Sequence, residues 1–254
     1  MSWLRAKCPD CRTLTAVSLG TGYQCHVCGR EFEAGLVRVP RAFGVGGEPM
    51  AAAAWLELPY PETAVVACET LEEQIALQAA SLPPRPLVLG GCCCAHVGAI
   101  RGLSARGSRL AVVWIDAHGD LNTPESSLSG NAWGMPLRMA IDEGSVRADD
   151  VALLGARRLD AAEAEFMDAA GIDDDVSRAL DGADMVYVAL DCDVLEPEQI
   201  ACFMPEPGGL TIEDVEAALH EVGARRPVAG AGLTGLLPEA DPALLVRFAA
   251  ALGL

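Results

Sequence analysis

The chain has 254 residues, of which 51% are apolar, and its formal net charge at neutral pH is -18. This length fits one large domain with a small appendage, and so acidic a chain is unsuited to binding nucleic acid over a broad surface. No apolar run approaches the roughly 18 residues that cross a membrane, and the N-terminus lacks a signal-peptide core. We therefore expect a soluble, cytoplasmic protein with no nucleic-acid or membrane partner.

Residues 1–35 carry two Cys-x-x-Cys pairs with the spacing of a zinc ribbon. Cys8 and Cys11 form the first pair, and Cys25 and Cys28 form the second. Each pair presents two thiolates from one tight turn, so two pairs complete a tetrahedral site for one structural Zn²⁺. So short a stretch buries little apolar surface, and the metal would supply its folding free energy. A redox role is the alternative, although a single pair would suffice for it.

The rest of the chain alternates between strands and helices. Residues 36–62, rich in Gly, Pro and Ala, are predicted to be a linker or an irregular entry segment before a main domain over residues 63–254. The predicted strands are Thr63–Cys68, Pro86–Gly90, Leu110–Ile115, Val151–Gly155, Met185–Leu190 and Val228–Leu233. Helices such as Ala161–Ala170 and Ile212–Val222 lie between them, and Thr211 caps the second. This pattern predicts a parallel sheet covered on both faces, with functional groups at the carboxyl ends of its strands.

Polar side chains follow two of these strands. Asp116, His118 and Asp120 follow one strand, and Asp191 and Asp193 follow another. Side chains two positions apart on an extended chain point the same way, so each strand end presents a cluster of them. The clusters would repel each other unless cations lay between them. Carboxylates with one imidazole suit Mn²⁺ and, less exclusively, Zn²⁺ or Fe²⁺. The competing interpretation is a set of solvated loop acids.

Several segments resemble motifs of the arginase (ureohydrolase) family. They are Asp116–Asn131 (DAHxDxNTP and SGN), Leu190–Pro197 (xDxDxxDP), Pro207–Thr211 (GGLT), Leu89–Gly91 (the start of GGDHS) and Gly155–Asp160 (GxRxxD). The resemblance covers about residues 86–245 and implies an α/β fold of three layers, α/β/α, with a mainly parallel sheet. It also implies a homo-oligomer that acts on a small-molecule substrate.

The resemblance implies roles for the acidic cluster. Asp116 and Asp191 would bridge two divalent cations. His118 and Asp193 would complete one cation site, and Asp120 would help to complete the other. The cations would hold a bridging hydroxide at neutral pH, and Asp120 could take its proton, so Asp120 and His118 are the predicted catalytic residues. The reaction implied is hydrolysis of a C–N bond in a guanidinium group.

The family's histidine ligand in the GGDHS loop is replaced here. Cys93 stands at its position, and His96 is the other candidate ligand. A cysteine thiolate would shift the metal preference towards Zn²⁺ or Fe²⁺. If a helix starts at this loop, the two side chains share a face, and both remain candidates.

The substrate site is altered at one end and retained at the other. Trp133 stands where the family has a proton-shuttling histidine, and because indole is no general acid, it is predicted to wall the pocket. Gly235 stands where the family has a glutamate that pairs with the substrate guanidinium. Asn122, Ser129 and Asp160 match positions that hold the carboxylate and amino groups of an amino acid.

Two functions follow from these departures. The first is a hydrolase that cleaves a C–N bond in an amidine, an amide, or a modified guanidino or amino-acid substrate rather than in arginine itself. The second is a non-catalytic metal-binding scaffold whose ribbon recruits a partner. Retention of the carboxylate and imidazole ligands favours the hydrolase, because an idle cluster of carboxylates is costly to keep together.

Overall fold

The computed structural model describes residues 4–254, so the first three residues of the predicted ribbon lie outside the described chain. The N-terminal part forms a small antiparallel sheet whose strands pair in chain order. The strands are Arg5–Ala6 (β1), Ala16–Leu19 (β2), Gly22–Cys25 (β3) and Glu31–Phe32 (β4). Tyr23 and Phe32 pack with Cys8 and Cys25 in its small core. So little buried apolar area fits a module that depends on a metal cross-link.

A parallel sheet of seven strands organises the rest of the chain. The strands are Gly35–Val39 (β5), Glu62–Val65 (β6), Pro86–Gly90 (β7), Leu110–Ile115 (β8), Val151–Leu154 (β9), Met185–Asp191 (β10) and Val228–Thr234 (β11). They pair in the order β6-β5-β7-β11-β10-β8-β9, every pair parallel. The six predicted strands are confirmed, with bounds shifted by a few residues at most.

Helices cover both faces of this sheet. They are Glu48–Ala53 (α1), Leu71–Ser81 (α2), Cys94–Ser104 (α3), Pro136–Asp142 (α4), Ala161–Ala170 (α5), Val176–Leu180 (α6), Ile212–Arg225 (α7) and Pro242–Ala251 (α8). Leu36 of β5 belongs to the core that α7 and α8 cover, whereas the next residue, Val37, belongs to the core that α3 covers. The predicted three-layer α/β/α fold is therefore confirmed. None of the helices within residues 4–254 combines the length and apolarity that a membrane crossing requires.

Side-chain caps fix where two helices near the strand ends begin. Thr211 Oγ1 accepts a hydrogen bond from Asp214 N, as part of a capping box at the start of α7, which confirms the predicted cap. Asp160 and Glu163 form the same arrangement at the start of α5. A capping box pairs otherwise unsatisfied backbone N–H groups of the first turn, so it sets the direction in which a helix leaves its loop.

Of the two alternatives for residues 36–62, the linker is wrong, because the chain enters the main sheet at Gly35. Strand β5 lies between β6 and β7, and its apolar side chains are buried on both faces. The sequence did not predict this strand, because Arg38 interrupts its apolar run. Its guanidinium is buried, and Nε lies 2.7 Å from Glu62 Oε2. The main domain therefore begins at Gly35 rather than at residue 63.

The ribbon is joined to this sheet through the edge strand β6. Lys7 N donates to Glu62 O at 2.9 Å, and Glu62 N donates to Lys7 O at 3.0 Å. Arg12 and Glu57 add an exposed ion pair at 3.3 Å, whose contribution to stability is small. The two backbone hydrogen bonds make the ribbon an antiparallel continuation of the sheet edge.

We predict that Leu36→Ala lowers the free energy of unfolding by about 2–5 kcal/mol, because it removes a buried side chain from the core. Val45→Ala, in the same segment but 88% exposed, should change it by less than about 0.5 kcal/mol. Urea unfolding followed by circular dichroism measures both. Equal effects of the two substitutions would contradict the placement of β5 inside the sheet.

Candidate metal centre

The carboxyl ends of β7, β11, β10 and β8 meet at one edge of the sheet. Cys93 lies just beyond β7, Gly235 follows β11, Asp191 ends β10 and Asp116 follows β8. Strands β8 and β10 are in register up to the residues before Asp116 and Asp191. The parallel arrangement therefore brings the two predicted acidic clusters together, although they are far apart in the sequence.

Two groups of potential metal ligands share the Asp116 carboxylate. Cys93, Asp116 and Asp191 form one group. Asp116, His118 and Asp193 form the other. Within each group the ligand atoms lie within 4.8 Å of one another. Cys93 Sγ is 2.8 Å from Asp191 Oδ2, and His118 Nδ1 is 2.9 Å from Asp193 Oδ2. The spacing suits two cations with one shared carboxylate.

Backbone amides fix the orientation of these carboxylates. Asp116 Oδ1 accepts a hydrogen bond from His118 N at 2.7 Å. Asp191 Oδ1 accepts one from Asp193 N at 2.9 Å, and Asp193 Oδ1 accepts one from Ala117 N at 3.1 Å. Because the chain itself supplies these donors, the ligand atoms are held in place before any cation binds.

The acidic side chains of the cluster are buried. Asp116, Asp120, Asp191 and Asp193 are each at most 6% exposed, so the interpretation as solvated loop acids is wrong. Burial, followed by the charge of Asp193, raises the pKa of Asp191 to about 7. Burial, followed by the charge of Asp116, raises the pKa of Asp193 to about 6. Bound cations would remove this penalty and keep the carboxylates ionised at neutral pH.

His118 faces the carboxylates through Nδ1. Burial opposes its protonation, but the hydrogen bonds with Asp116 and Asp193 outweigh burial and raise the pKa of His118 to about 11. The other ring nitrogen, Nε2, is buried and has no hydrogen-bond partner within residues 4–254. Glu206 Oε1 lies 4.0 Å from it, beyond hydrogen-bonding distance.

Asp120 lines the same cavity but lies outside both ligand groups. Its backbone is in the left-handed region, with φ of 53°, a conformation that is uncommon for residues other than glycine. Its Oδ2 is buried without a hydrogen-bond partner among the described residues. Burial, followed by the charge of Asp116, raises the pKa of this carboxyl well above its ordinary value.

The structure favours Cys93 over His96 as the ligand from the loop after β7. His96 is fully buried beneath the site, with Nδ1 3.0 Å from Tyr187 Oη and Nε2 3.1 Å from Thr234 Oγ1. Burial lowers the pKa of His96 to about 3. The prediction of His96 as a ligand is therefore wrong, because α3 begins at Cys94 and turns its third residue into the core. Thr234 lies 3.3 Å from Asp191 Oδ2, so His96 supports the site only indirectly.

A cavity of about 310 Å³ opens above the ligands. The predicted substrate-binding residues Asn122, Ser129, Asp160 and Trp133 all line it. Asn122 Nδ2 donates to Asp160 Oδ2 at 3.0 Å, which joins two of them into one polar wall. The ring of Trp133 meets Phe203 edge-on at 5.8 Å and forms an apolar wall. The cavity thus has a polar side, an apolar side and a carboxylate floor.

Several other residues that line the cavity belong to none of the sequence motifs. They include Met50, Phe203, Met204 and Glu206. Three of them come from the loop between β10 and α7, where only the Pro-Glu-Pro pattern of residues 205–207 hints at a rigid segment. Loop residues of this kind are positioned by long-range contacts that the sequence does not reveal.

Gly235 borders the cavity and accommodates no side chain. Its φ is 69°, and a Cβ placed there would lie 1.9 Å from Asp191 Oδ1. The nearby acid Glu239 is exposed and does not line the cavity. Neither residue therefore supplies the carboxylate that is absent at position 235.

The four ribbon cysteines come together as the spacing predicts. Cys8 Sγ lies 3.9 Å from Cys28 Sγ, Cys11 Sγ lies 3.8 Å from Cys25 Sγ, and the four sulfurs lie within 4.8 Å of one another. The backbone N–H of Cys28 and the hydroxyl of Thr15 stabilise the Cys25 thiolate and lower its pKa to about 5. Four thiol groups in this arrangement suit a closed zinc site.

Comparison with known proteins identifies relatives of the main domain. The model of the Arginase family matches residues 50–253. The arginase of Staphylococcus aureus (strain MRSA252) is 32% identical over 185 residues, which are 61% of this chain and 61% of that protein. The arginase of Bacillus caldovelox is 30% identical over 186 residues, 61% of this chain and 62% of that one. The matched part thus spans about three fifths of these curated relatives.

Solved structures show the same fold. The arginase of Bacillus caldovelox superposes with a TM-score of 0.75 at 23% identity, covering 86% of this chain and 97% of that one. The proclavaminate amidino hydrolase of Streptomyces clavuligerus gives a TM-score of 0.67 at 19% identity, covering 86% and 89%. The formimidoylglutamase of Bacillus subtilis gives 0.66 at 19%, covering 86% and 84%. With its family match over residues 50–253, the chain belongs to the Arginase family.

Proposed function

We propose that the protein is a metal-dependent hydrolase that cleaves a C–N bond in an amidine, an amide or a modified guanidino compound. The observation that carries the proposal is the pair of ligand groups sharing Asp116 at the floor of the cavity. One relative in fold is named an amidino hydrolase and another a formimidoylglutamase, which supports the same bond class. We further propose a cytoplasmic homo-oligomer acting on a small molecule, by analogy with the family.

The residues at the floor fit two divalent cations. The ligand sets are Cys93, Asp116 and Asp191 for one and Asp116, His118 and Asp193 for the other. The unpaired Oδ2 of Asp120 remains as a further donor. Mn²⁺ suits the oxygen-rich set, and the Cys93 thiolate would shift the preference of its site towards Zn²⁺ or Fe²⁺. A third cation, Zn²⁺, would occupy the ribbon cysteines as a structural ion.

Divalent cations at this position would supply a water molecule acidic enough to attack at neutral pH. The chain's own contribution to proton transfer would come from Asp120. Its Oδ2 is buried and free of other hydrogen bonds within the described chain, so it would take a proton and pass it to the leaving nitrogen. Trp133 contributes no proton, because an indole N–H is not acidic in water.

Substrate positioning would come from the two walls of the cavity. Asn122, Asp160 and Ser129 would hold the amino-acid-like end of the substrate through hydrogen bonds. Trp133 and Phe203 would cover its reacting end and exclude bulk water, which strengthens polar interactions in the site.

The scaffold function is the second candidate, and the observations that favour it are the residues at positions 133 and 235. Trp133 and Gly235 both replace residues that the family uses on its substrate. The buried ligand set weighs against it, because the chain fixes three carboxylates with backbone amides although burying them is costly.

We predict that the Mn²⁺-loaded protein hydrolyses at least one member of a panel of amidines, guanidines and amides. His118→Ala and Asp193→Ala should each lower the rate by roughly 100-fold or more, because each removes a ligand of the same cation. Bound metal is counted by plasma mass spectrometry alongside the rates. His220→Ala, at an exposed histidine of α7, is the control. Full metal occupancy with no hydrolysis across the panel would favour the scaffold.

Gly235→Ala is predicted to weaken Mn²⁺ binding by roughly 10- to 100-fold, because its Cβ would displace the Asp191 carboxylate. Its free energy of unfolding should also fall by about 1–3 kcal/mol more than that of Gly171→Ala. Gly171 has the same φ of 69° with no atom within 4 Å of the added Cβ, so it controls for backbone strain. Calorimetric Mn²⁺ titration and urea unfolding measure the two effects. Matching values for both variants would refute the role given to Asp191.

For the ribbon, we predict that Cys25→Ser removes one equivalent of zinc and leaves the metals of the main domain bound. Loss of a thiolate opens the tetrahedral site, which a small module needs in order to fold. Cys68→Ser, at a half-buried cysteine outside the ligand groups, should keep all its metal. Elemental analysis of both purified variants provides the measurement. Unchanged zinc in the Cys25 variant would point instead to a redox pair.

A further inference from the structure

The apolar wall of the cavity continues outwards to its mouth. Its side chains are those of Met50, Trp133, Phe203, Met204 and Leu128. Met50 is buried, whereas the exposed fraction is 46% at Met204 and 90% at Leu128. The metal centre and the proton transfer proposed above leave all five unused. An apolar surface therefore runs from the interior of the cavity to bulk solvent.

The inner part of this wall is held in place by the loop after β5. A Cβ placed at Gly44 would lie 2.2 Å from Trp133 Cζ3, so the indole lies directly against the backbone of that loop. Ala132 N donates to Phe43 O at 2.8 Å, which fixes the loop beside the indole. Phe203 meets the other side of the contact edge-on, with ring centroids 5.8 Å apart. The two rings thus form a fixed surface, as a specific binding site requires.

Met204 carries the wall towards the mouth from a strained backbone. Its φ is 55°, in the left-handed region, which is rare for a residue with a long side chain. The residue before it is fixed by the hydrogen bond from Phe203 N to Gly235 O at 2.7 Å, and Pro205 follows it. Strain of this kind costs free energy and is concentrated at sites that bind or react with ligands. The loop between β10 and α7 therefore holds an apolar side chain at the cavity despite a cost to the backbone.

Leu128 completes the wall at the mouth, in a loop that its neighbouring serines stabilise. Ser127 Oγ accepts a hydrogen bond from Gly130 N at 3.1 Å, and Ser129 Oγ accepts one from Asn131 N at 3.2 Å. A single exposed leucine is common on protein surfaces, but this one borders a cavity whose adjoining wall is apolar. An apolar group of a ligand that covered it would remove both surfaces from water, which is favourable.

We propose that the substrate carries an apolar alkyl or aryl group, which lies along this wall as far as Met204 and Leu128 while the C–N bond lies at the metal ligands. The cavity volume of about 310 Å³ fits a small molecule, whose apolar end then reaches the mouth. Each methylene that becomes fully buried there adds up to about fourfold in affinity. The inference rests on the proposed function only in placing the reacting group at the cavity floor.

The test uses a series of alkanehydroxamic acids, in which only the length of the alkyl chain varies. Their oxygen-donor head group chelates divalent cations and so anchors every member at the same place. Acetohydroxamate, butyrohydroxamate and hexanohydroxamate are titrated calorimetrically into the Mn²⁺-loaded protein. Hexanohydroxamate, which has four more methylenes than acetohydroxamate, should bind roughly 20- to 200-fold more tightly.

Two substitutions at the mouth should reduce this gain. Leu128→Ser and Met204→Asn should each lower it by roughly 3- to 10-fold and leave the affinity for acetohydroxamate unchanged. Asn is the replacement at position 204 because it tolerates the left-handed backbone. Val45→Ser is the matched control, at an 88% exposed apolar residue outside the cavity, and should retain the whole gain.

Three outcomes would overturn the proposal. The first is equal affinity along the series, or no binding of any member, whatever the hydrolytic activity. The second is an equal loss of affinity for all members in both variants, since the two side chains would then only position the metal ligands. The third is a Leu128→Ser variant that keeps the gain but changes its oligomeric state in sedimentation, which would assign the mouth to contact with a second copy. Hydrolysis is recorded separately by the substrate panel, so the two proposals fail independently.

Discussion

Asp116 and Asp191 are buried beside each other because β8 and β10 are hydrogen-bonded neighbours whose carboxyl ends are in register. Burial raises the pKa of both carboxyls, so keeping them ionised at this edge of the sheet is costly. The groups around the two carboxylates offset part of that cost. Backbone amides, the imidazole of His118 and the Cys93 thiol all turn towards the same carboxylates. A site of this composition is stable with positive charge at its centre and strained without it.

Trp133 and Gly235, two positions at which the chain departs from the family motifs, both border the cavity. At Gly235 the backbone approaches Asp191 so closely that no side chain fits. The loop between β10 and α7 is hydrogen-bonded to Gly235. It adds Phe203 to the cavity wall that Trp133 forms, and it also brings Glu206 into the cavity lining. Both positions thus contact the loop between β10 and α7. A specificity that differs from that of arginases would therefore be a property of this loop more than of any single replacement.

The sequence was most informative where local rules decide the outcome. Alternating strands and helices predict the parallel sheet, and side chains spaced two apart at a strand end predict which acids meet. It was least informative where the outcome depends on distant contacts. Arg38 interrupts an apolar run, and only its partner Glu62, 24 residues later, explains how a charged residue lies inside a sheet. Cys93 and His96 could be separated only by the direction in which α3 leaves the loop. Glu206 had no motif to mark it.

The attachment of the ribbon has a consequence for the solubility of the whole chain. A parallel sheet ends in two edge strands, each offering unpaired N–H and C=O groups to other molecules. Beside β9, Leu153 donates to Asp173 O, and beside β6, Lys7 and Glu62 exchange two hydrogen bonds. The ribbon thus pairs with the first residue of the edge strand β6. Unfolding of this module would free the backbone N–H and C=O groups of Glu62, and so lengthen the unpaired edge that other chains can join.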